Sequence, residues 1–416
     1  MQAQGALSQI IAQRETSFKT LPSTKKSKKV YFTKEGLRFS QEMVSSNMIR
    51  GASRHPSQPL RGNTDVAGSI STELNANTFL FFAAMGSIES AMTGGTMGSA
   101  LATPSAVING TTQIMTVTVT THGLVPGDTV EITGLTAPTS LNSKVFAVID
   151  APTADTFTIS IPLGTTTTFT LGSGAIKKVT AGGTTLTHTL KAGGALPSYA
   201  IEKGFPDIAQ YFKYLGCLCG KLSFPIPASG MIDLSTDWLG GSETVGSSSF
   251  DSGTPTDNGS RTFDGLGIAA ADILEGGVAI ATVTNVGNIT LDNALDGDTF
   301  VVGGGGSRSA INPGVYKVSG SLTAMFDSVT LYNKAKNLTE SSLDITLKRG
   351  TGAGTDGNEF LQVVIPELNF KPSAPAIEGP KGVVATYDFE GYYDNGADAT
   401  AMKIIIKNAI LPGALI

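Results

Sequence analysis

The chain has 416 residues, of which 15% are charged, 40% hydrophobic and 50 glycine. That composition fits many short strands joined by turns, and it excludes a helical bundle and a globally disordered chain. Charge is uneven: residues 1–62 carry 11 Lys/Arg against 3 Asp/Glu, and the remainder carries 18 against 31, so an acidic body carries a basic N-terminal arm. No apolar run reaches the roughly 20 residues of a membrane-spanning helix. The opening MQAQGALSQIIAQRETSFK lacks the basic region and long apolar stretch of a secretion signal. No membrane contact is expected, and synthesis in a cytoplasm is.

The arm, residues 1–62, contains TKKSKK with Lys25, Lys26, Lys28 and Lys29. Such a segment is ordered only when it docks on something. The expected partner is the acidic surface of a neighbouring copy. Nucleic-acid phosphate is the competing partner, but no aromatic residues interleave the lysines and no nucleic-acid motif surrounds them. Removing residues 1–30 is then expected to leave folded subunits that do not polymerise. Val66, Ser69 and Ile70 begin an extended segment, after which Phe79, Phe82, Ala83 and Gly86 follow helical spacing.

Residues 105–181 are rich in threonine and poor in charge. Alternation in TQIMTVTVTT, a Pro126-Gly127-Asp128 turn, a strand over Thr129–Thr133, and SKVFAVIDAPTADTFTISIPL folded about Pro152–Asp155 predict a small all-β inserted domain, barrel or sandwich. The body, residues 63–104 and 182–416, resumes near Thr184. A short helical turn in FPDIAQYF precedes a strand over Cys217–Ile226, with Leu222, Phe224 and Ile226 on one face and MIDLSTDWLGG as partner. Residues 240–264 form a polar stretch long enough to imply docking on a partner. Ser247, Phe250 and Arg261 are its candidate inter-subunit contacts, ordered when the adjacent copy arrives.

GNITLDNAL, DITLKRG, EFLQVVIPELNF, VVATYDFEGYYD and AMKIIIKNA read as further strands. In Asn312–Leu338 a Pro313-Gly314 turn opens a strand with Tyr316, Val318, Gly320 and Leu322 on one face. A helix over Ser328–Asn337 follows, with Asp327 as its N-cap, Val329, Tyr332 and Ala335 as its buried stripe, and Lys334 and Lys336 near its C-terminus.

No catalytic, cofactor-binding or metal-binding residue emerges, so an enzyme is not expected. The G-x-G-x-x-G of Gly352, Gly354 and Gly357 lies between two strands, whereas a dinucleotide site needs a helix after it. Gly303–Gly306 lacks the Lys-Ser/Thr of a P-loop. His55, His122 and His188 are scattered, Asp296 and Asp298 read as turn residues, and Trp238 as a packing anchor. Cys217 and Cys219 read as buried small residues without a disulfide.

Two resemblances follow from these motifs. Thr121–Gly134 (THGLVPGDTVEITG) and the Phe146–Ile159 stretch resemble the small β-barrel module of ubiquitin-activating enzymes, which is often inserted in phage tail and adhesion proteins. This implies surface decoration and no enzymatic activity. Ile289-Thr290-Leu291, Pro313-Gly314-x-Tyr316-x-Val318-Ser319-Gly320, the Phe360–Phe370 strand, Gly382-x-Val384-x-x-x-Tyr387-x-Phe389-x-Gly391 and the early Arg61-Gly62…Val66-Ala67-Gly68 together resemble the tail tube proteins of long-tailed, non-contractile bacteriophages. The likeness covers most of residues 55–416 outside the insert. It implies a mainly β fold: a β-sandwich or half-barrel with one packed short helix, closing into a β-barrel ring of six copies. Stacked rings would make a virion tube, assembled in the host cytoplasm, through which DNA passes without specific binding. Implied partners are further copies, then tail terminator, tape measure and tail tip proteins. A phage or bacterial adhesion or fibre subunit, binding surface carbohydrate through the insert, is the alternative.

Overall fold

The computed structural model describes residues 2–49, 55, 57–377 and 379–416, which form two antiparallel sheets with three short α-helices. The larger sheet runs from Arg38–Val44 through Leu60–Glu73, Asp233–Gly240, Gln210–Pro227, Val283–Asp292 and Lys317–Met325 to Val384–Gly391. Phe360–Phe370 pairs along one edge with both Val384–Gly391 and Lys403–Asn408, and along the other with Ser341–Lys348. From Lys403–Asn408 the sheet continues through Thr185–Lys191 to Ser87–Thr93.

Long shared strands bend this sheet round one core. Gln210–Pro227 pairs over Gln210–Cys217 with Tyr199–Phe205 and over Tyr211–Leu215 with Ser242–Gly246, then from Leu218 with Asp233–Gly240 and from Lys221 with Val283–Asp292. The change of partners falls at Gly216, whose φ of +68° and close approach to the Phe18 ring leave no room for a side chain. The strands form where alternation supplies one apolar face: Leu343, Ile345 and Leu347, Leu361, Val363 and Ile365, and Ile404 and Ile406 are all buried in one core. Each of those strands was readable from the sequence.

The predicted helix after Asn75 is observed at Leu80–Met85, with all six side chains buried, ending at Gly86 in the left-handed conformation. Beside it Phe79 and Tyr199 lie 4.8 Å apart, and Tyr199 meets the Trp238 ring edge-on at 6.1 Å. Trp238 Nε1–H donates to Thr236 Oγ1, so the sole tryptophan is a packing anchor as expected. Cys217 and Cys219 are buried free thiols.

The second helix needs correction. It spans Thr330–Lys336, and the capping position belongs to Val329, with no side-chain cap. Asp327 lies three residues before the helix begins, in an exposed stretch that follows the Met325 strand end, so it is not the N-cap. The helix faces the core through Leu331, Tyr332 and Ala335, while Val329 is exposed.

The basic arm is part of the body. Gln9–Arg14 pairs with Tyr199–Phe205 on one side and Lys28–Val30 on the other, burying Ile10, Ile11 and Ala12. Being buried on both faces, it shows no alternation to read.

The smaller sheet has seven strands in the order Thr96–Ala100, Ala175–Ala181, Thr129–Thr133, Lys144–Thr153, Thr156–Ser160, Ile114–Thr118, Ser105–Asn109. Its end strands are not paired with each other, so the sheet is open rather than a closed barrel. It has its own core around Met115, Val130, Phe146, Phe157 and Ile176. A small mixed cluster joins it to the body, where Val145 and Val179 meet Leu186 with Met92 and Leu411 packed alongside. The helix Pro412–Leu415 reinforces that seam, because Gly413 N–H donates to Thr129 Oγ1 at 3.0 Å.

Candidate self-assembly surface

The sequence singled out the lysine run and the 240–264 stretch as separate contacts for other copies. In the structure they hold each other. Ser27 donates its backbone N–H and hydroxyl to Asp251 Oδ2 at 2.9 and 2.6 Å. Thr256 N–H donates to Ser27 O, and Lys29 N–H to Thr256 O. Lys29 Nζ lies 3.1 Å from Asp257 Oδ2, which also accepts from the Tyr31 hydroxyl. Lys28 is only 6% exposed and its ammonium donates to Gly413 O at 2.7 Å. Burial lowers its pKa to about 8, with Lys26 adding to the fall and Asp251 opposing it. For Asp251, burial pushes upward, but the bonds from Ser27 and Gly253 outweigh it and hold the carboxyl below its ordinary value. The electrostatic attraction read from the sequence is therefore met inside the chain at Lys28 and Lys29.

The other predicted contacts divide in the same way. Arg261 pairs with Asp356 and lies 3.5 Å from Glu359, while its backbone N–H donates to Asn75 Oδ1. Phe250 is half-buried, with its N–H donating to Glu202 Oε2 at 2.7 Å. Ser242–Gly246 is a strand and Phe263 is core, so the stretch is ordered within one chain. Lys26 and Ser247 are exposed and Lys25 is half-exposed.

A different surface stands out, which sequence reading missed. Leu60–Glu73 is paired with Asp233–Gly240 only from Val66 onward. Among the described residues, its preceding residues pair with Arg38–Val44 alone, in a two-stranded ribbon. Every residue of Arg38–Val44 is exposed. Met43 is 77% exposed, Leu60 71% and Met48 77%. The base of the ribbon is fixed to the body: Thr64 N–H donates to Gly306 O at 2.8 Å, and the nearly buried Arg308 pairs with Asp65 at 2.7 Å while donating to Gly240 O. A rigid base beneath exposed methionine, leucine and valine, with one strand edge unpaired among the described residues, is a surface suited to another protein. Its sequence signal, the scattered Phe39, Met43, Val44 and Leu60, is diluted by the polar residues between them.

Among the described residues no group of three or more His, Cys, Asp or Glu is placed to hold a metal ion. His188 is wholly buried, and its Nε2 faces Asn408 Oδ1 and Ile410 O at 3.0 and 3.1 Å. Both are acceptors in this arrangement, since the Asn408 amide nitrogen donates to Ala76 O. The proton therefore sits on Nε2, and Nδ1 accepts from the Ser90 hydroxyl at 2.8 Å. Burial lowers the pKa of the ring to about 4, which makes it a neutral structural group. His122 bridges Thr153 O and Thr156 O in the inserted sheet. The Gly352–Gly357 run is a hairpin tip between Ser341–Lys348 and Phe360–Phe370, and Asp298 N–H donates to Asp296 Oδ1 in a turn. No described helix is long and apolar enough to cross a membrane.

The family model described as phage tail tube protein matches residues 5–391. No curated protein matches the chain.

Proposed function

The chain belongs to the phage tail tube protein family and is a structural component of the virion, and from this we propose that it is the subunit of stacked six-membered rings forming the tube through which DNA is ejected. The observation that carries the proposal is the projecting ribbon of Arg38–Val44 and Leu60–Asp65. A monomer gains nothing from exposing Met43, Val44 and Leu60 together; a polymer buries them at every repeat. Ring closure between copies covers sheet edges that would otherwise recruit strands at random. A body of 18 Lys/Arg against 31 Asp/Glu outside the arm suits a lumen along which DNA must slide. The open seven-stranded sheet decorates the outside of the tube. Lys25, Lys26 and Ser247 remain available for contacts between copies. Tail terminator, tape measure and tail tip proteins are the partners at the tube ends and within it.

Negative-stain imaging of the purified chain tests this reading. Hollow tubes with a regular axial repeat are the expected result, and Met43→Asp combined with Leu60→Asp is expected to leave rings or monomers. Compact trimers of the unaltered chain would favour an adhesion subunit instead.

A further inference from the structure

The registers of the large sheet define its two ends. Glu73 faces Asp233, Pro227 faces Asn285, Val283 faces Ala324 and Ala324 faces Ala385, so these residues share one end. Val66 faces Gly240, Leu218 faces Leu239 and Asp292 faces both Lys221 and Lys317, so these share the other. The ribbon continues beyond Val66 and therefore leaves from the second end.

At the first end lies a groove of about 520 Å³ between the helix Thr330–Lys336, the hairpin of Ile273–Glu275 with Val278–Ala279, and the sheet residues Ala324, Met325 and Ala385. Its lining includes exposed Val278, Met325 and Phe326. Three features point to an occupant. Among the described residues Val278–Ala279 pairs only with Leu274–Glu275, which leaves its outer edge free to take a strand. Tyr387 lines the groove, and its buried hydroxyl has no hydrogen-bond partner among the described residues. Lys334 is neutralised by Glu275 at 2.6 Å, which leaves the exposed Asp327 as the unpaired charge of the groove among the described residues.

We propose that this groove is the socket for the ribbon of the next copy along the tube axis, a proposal that rests on the stacking reading above. Apolar Met43, Val44 and Leu60 meet Val278, Met325 and Phe326. On the described ribbon Arg38 and Arg61 are exposed and opposite in sign to Asp327, against Glu42 alone, since Asp65 is already paired with Arg308. Ribbon and socket lie at opposite ends of one sheet, so the contact is heterologous, does not close on itself, and repeats along an axis.

The test uses the full chain. Val278→Asp with Met325→Asp blocks the socket, and Met43→Asp with Leu60→Asp blocks the ribbon. Each variant alone is expected to lose tubes in electron microscopy and sedimentation. Mixed, they are expected to form stacks no more than two rings deep, because only one pair of working surfaces meets. Full-length tubes from the socket variant, with none from the ribbon variant, would overturn the socket and leave stacking through the ribbon intact. Full-length tubes from the ribbon variant would overturn the ribbon as the stacking contact, and the socket with it, whereas an unaltered chain that forms no tubes would overturn the stacking reading itself. Should the socket variant fail to fold, Leu60→Cys with Phe326→Cys decides. Oxidation is expected to give a ladder of cross-linked subunits, with Cys217 and Cys219 silent because they are buried; no ladder overturns the socket.

Discussion

Lowering pH should weaken the body through His188. The folded ring has a pKa of about 4, against an ordinary value of 6.5. The unfolded chain therefore binds the proton more readily, and stability falls as pH drops from the unfolded value toward the folded one. Linkage from these two values gives a loss of about 2.5 kcal/mol between pH 7 and pH 4.5, a sizeable fraction of a typical folding free energy. The cause is local: the ring joins Thr185–Lys191 to Ser90 on one neighbouring strand and Asn408 on the other, and its complete burial keeps a charge there from bulk solvent. Guanidinium titrations followed by Trp238 fluorescence report on this core, because the only tryptophan lies in it. His188→Gln removes the titrating group, and its stability advantage or deficit relative to the unaltered chain is expected to shift by about 2.5 kcal/mol in its favour over that interval. A difference between the two that stays constant within about 0.5 kcal/mol, far below the linkage value, would falsify the assignment.

Asp251→Ala removes the acceptor for Ser27 N–H, Ser27 Oγ and Gly253 N–H. Bonds to a buried carboxylate contribute about 1.5–3 kcal/mol each, so hydrogen exchange in residues 24–30 and 250–257 is expected to rise by at least about a hundredfold while the rest of the body keeps its protection. Removing residues 1–30 takes away buried Ile10 and Ile11, worth about 5 kcal/mol together. Limited proteolysis is expected to show an unfolded or molten body, and a truncated chain that kept the full melting temperature would refute the placement of that strand.

The strands that sequence reading found are those with one wet and one dry face. Ser341–Lys348, Val384–Gly391 and Lys403–Asn408 announce themselves because successive residues alternate between buried and more exposed positions. Gln9–Arg14 fails that test, since four consecutive residues are buried. Its lysine-rich surroundings then make it look like part of a detached tail. Charge counting located the right attraction but not its geometry. Lys29 and Asp257 are 228 residues apart, and a net balance cannot say that they meet within one molecule. Asp327 looked like a cap because aspartate often precedes a helix. The chain instead spends four exposed residues leaving the Met325 strand before the helix begins. The ribbon was the costliest omission, because its apolar residues matter through their exposure, and exposure is a property of the fold.

The inserted sheet leaves the body after Thr93 and returns at Thr185, and those two residues are cross-strand partners. Gly94-Gly95 lies on one side of the gap and Gly182-Gly183 on the other. In the logic of the large sheet, some 90 residues occupy the place of a hairpin turn. Any compact unit whose termini lie about 5 Å apart, the spacing of paired strands, could be grafted there without altering a register. The graft would have to cover Leu186 and Leu411, which the present insert shields. A filament built from such subunits would then carry its foreign cargo at a spacing fixed by its own repeat.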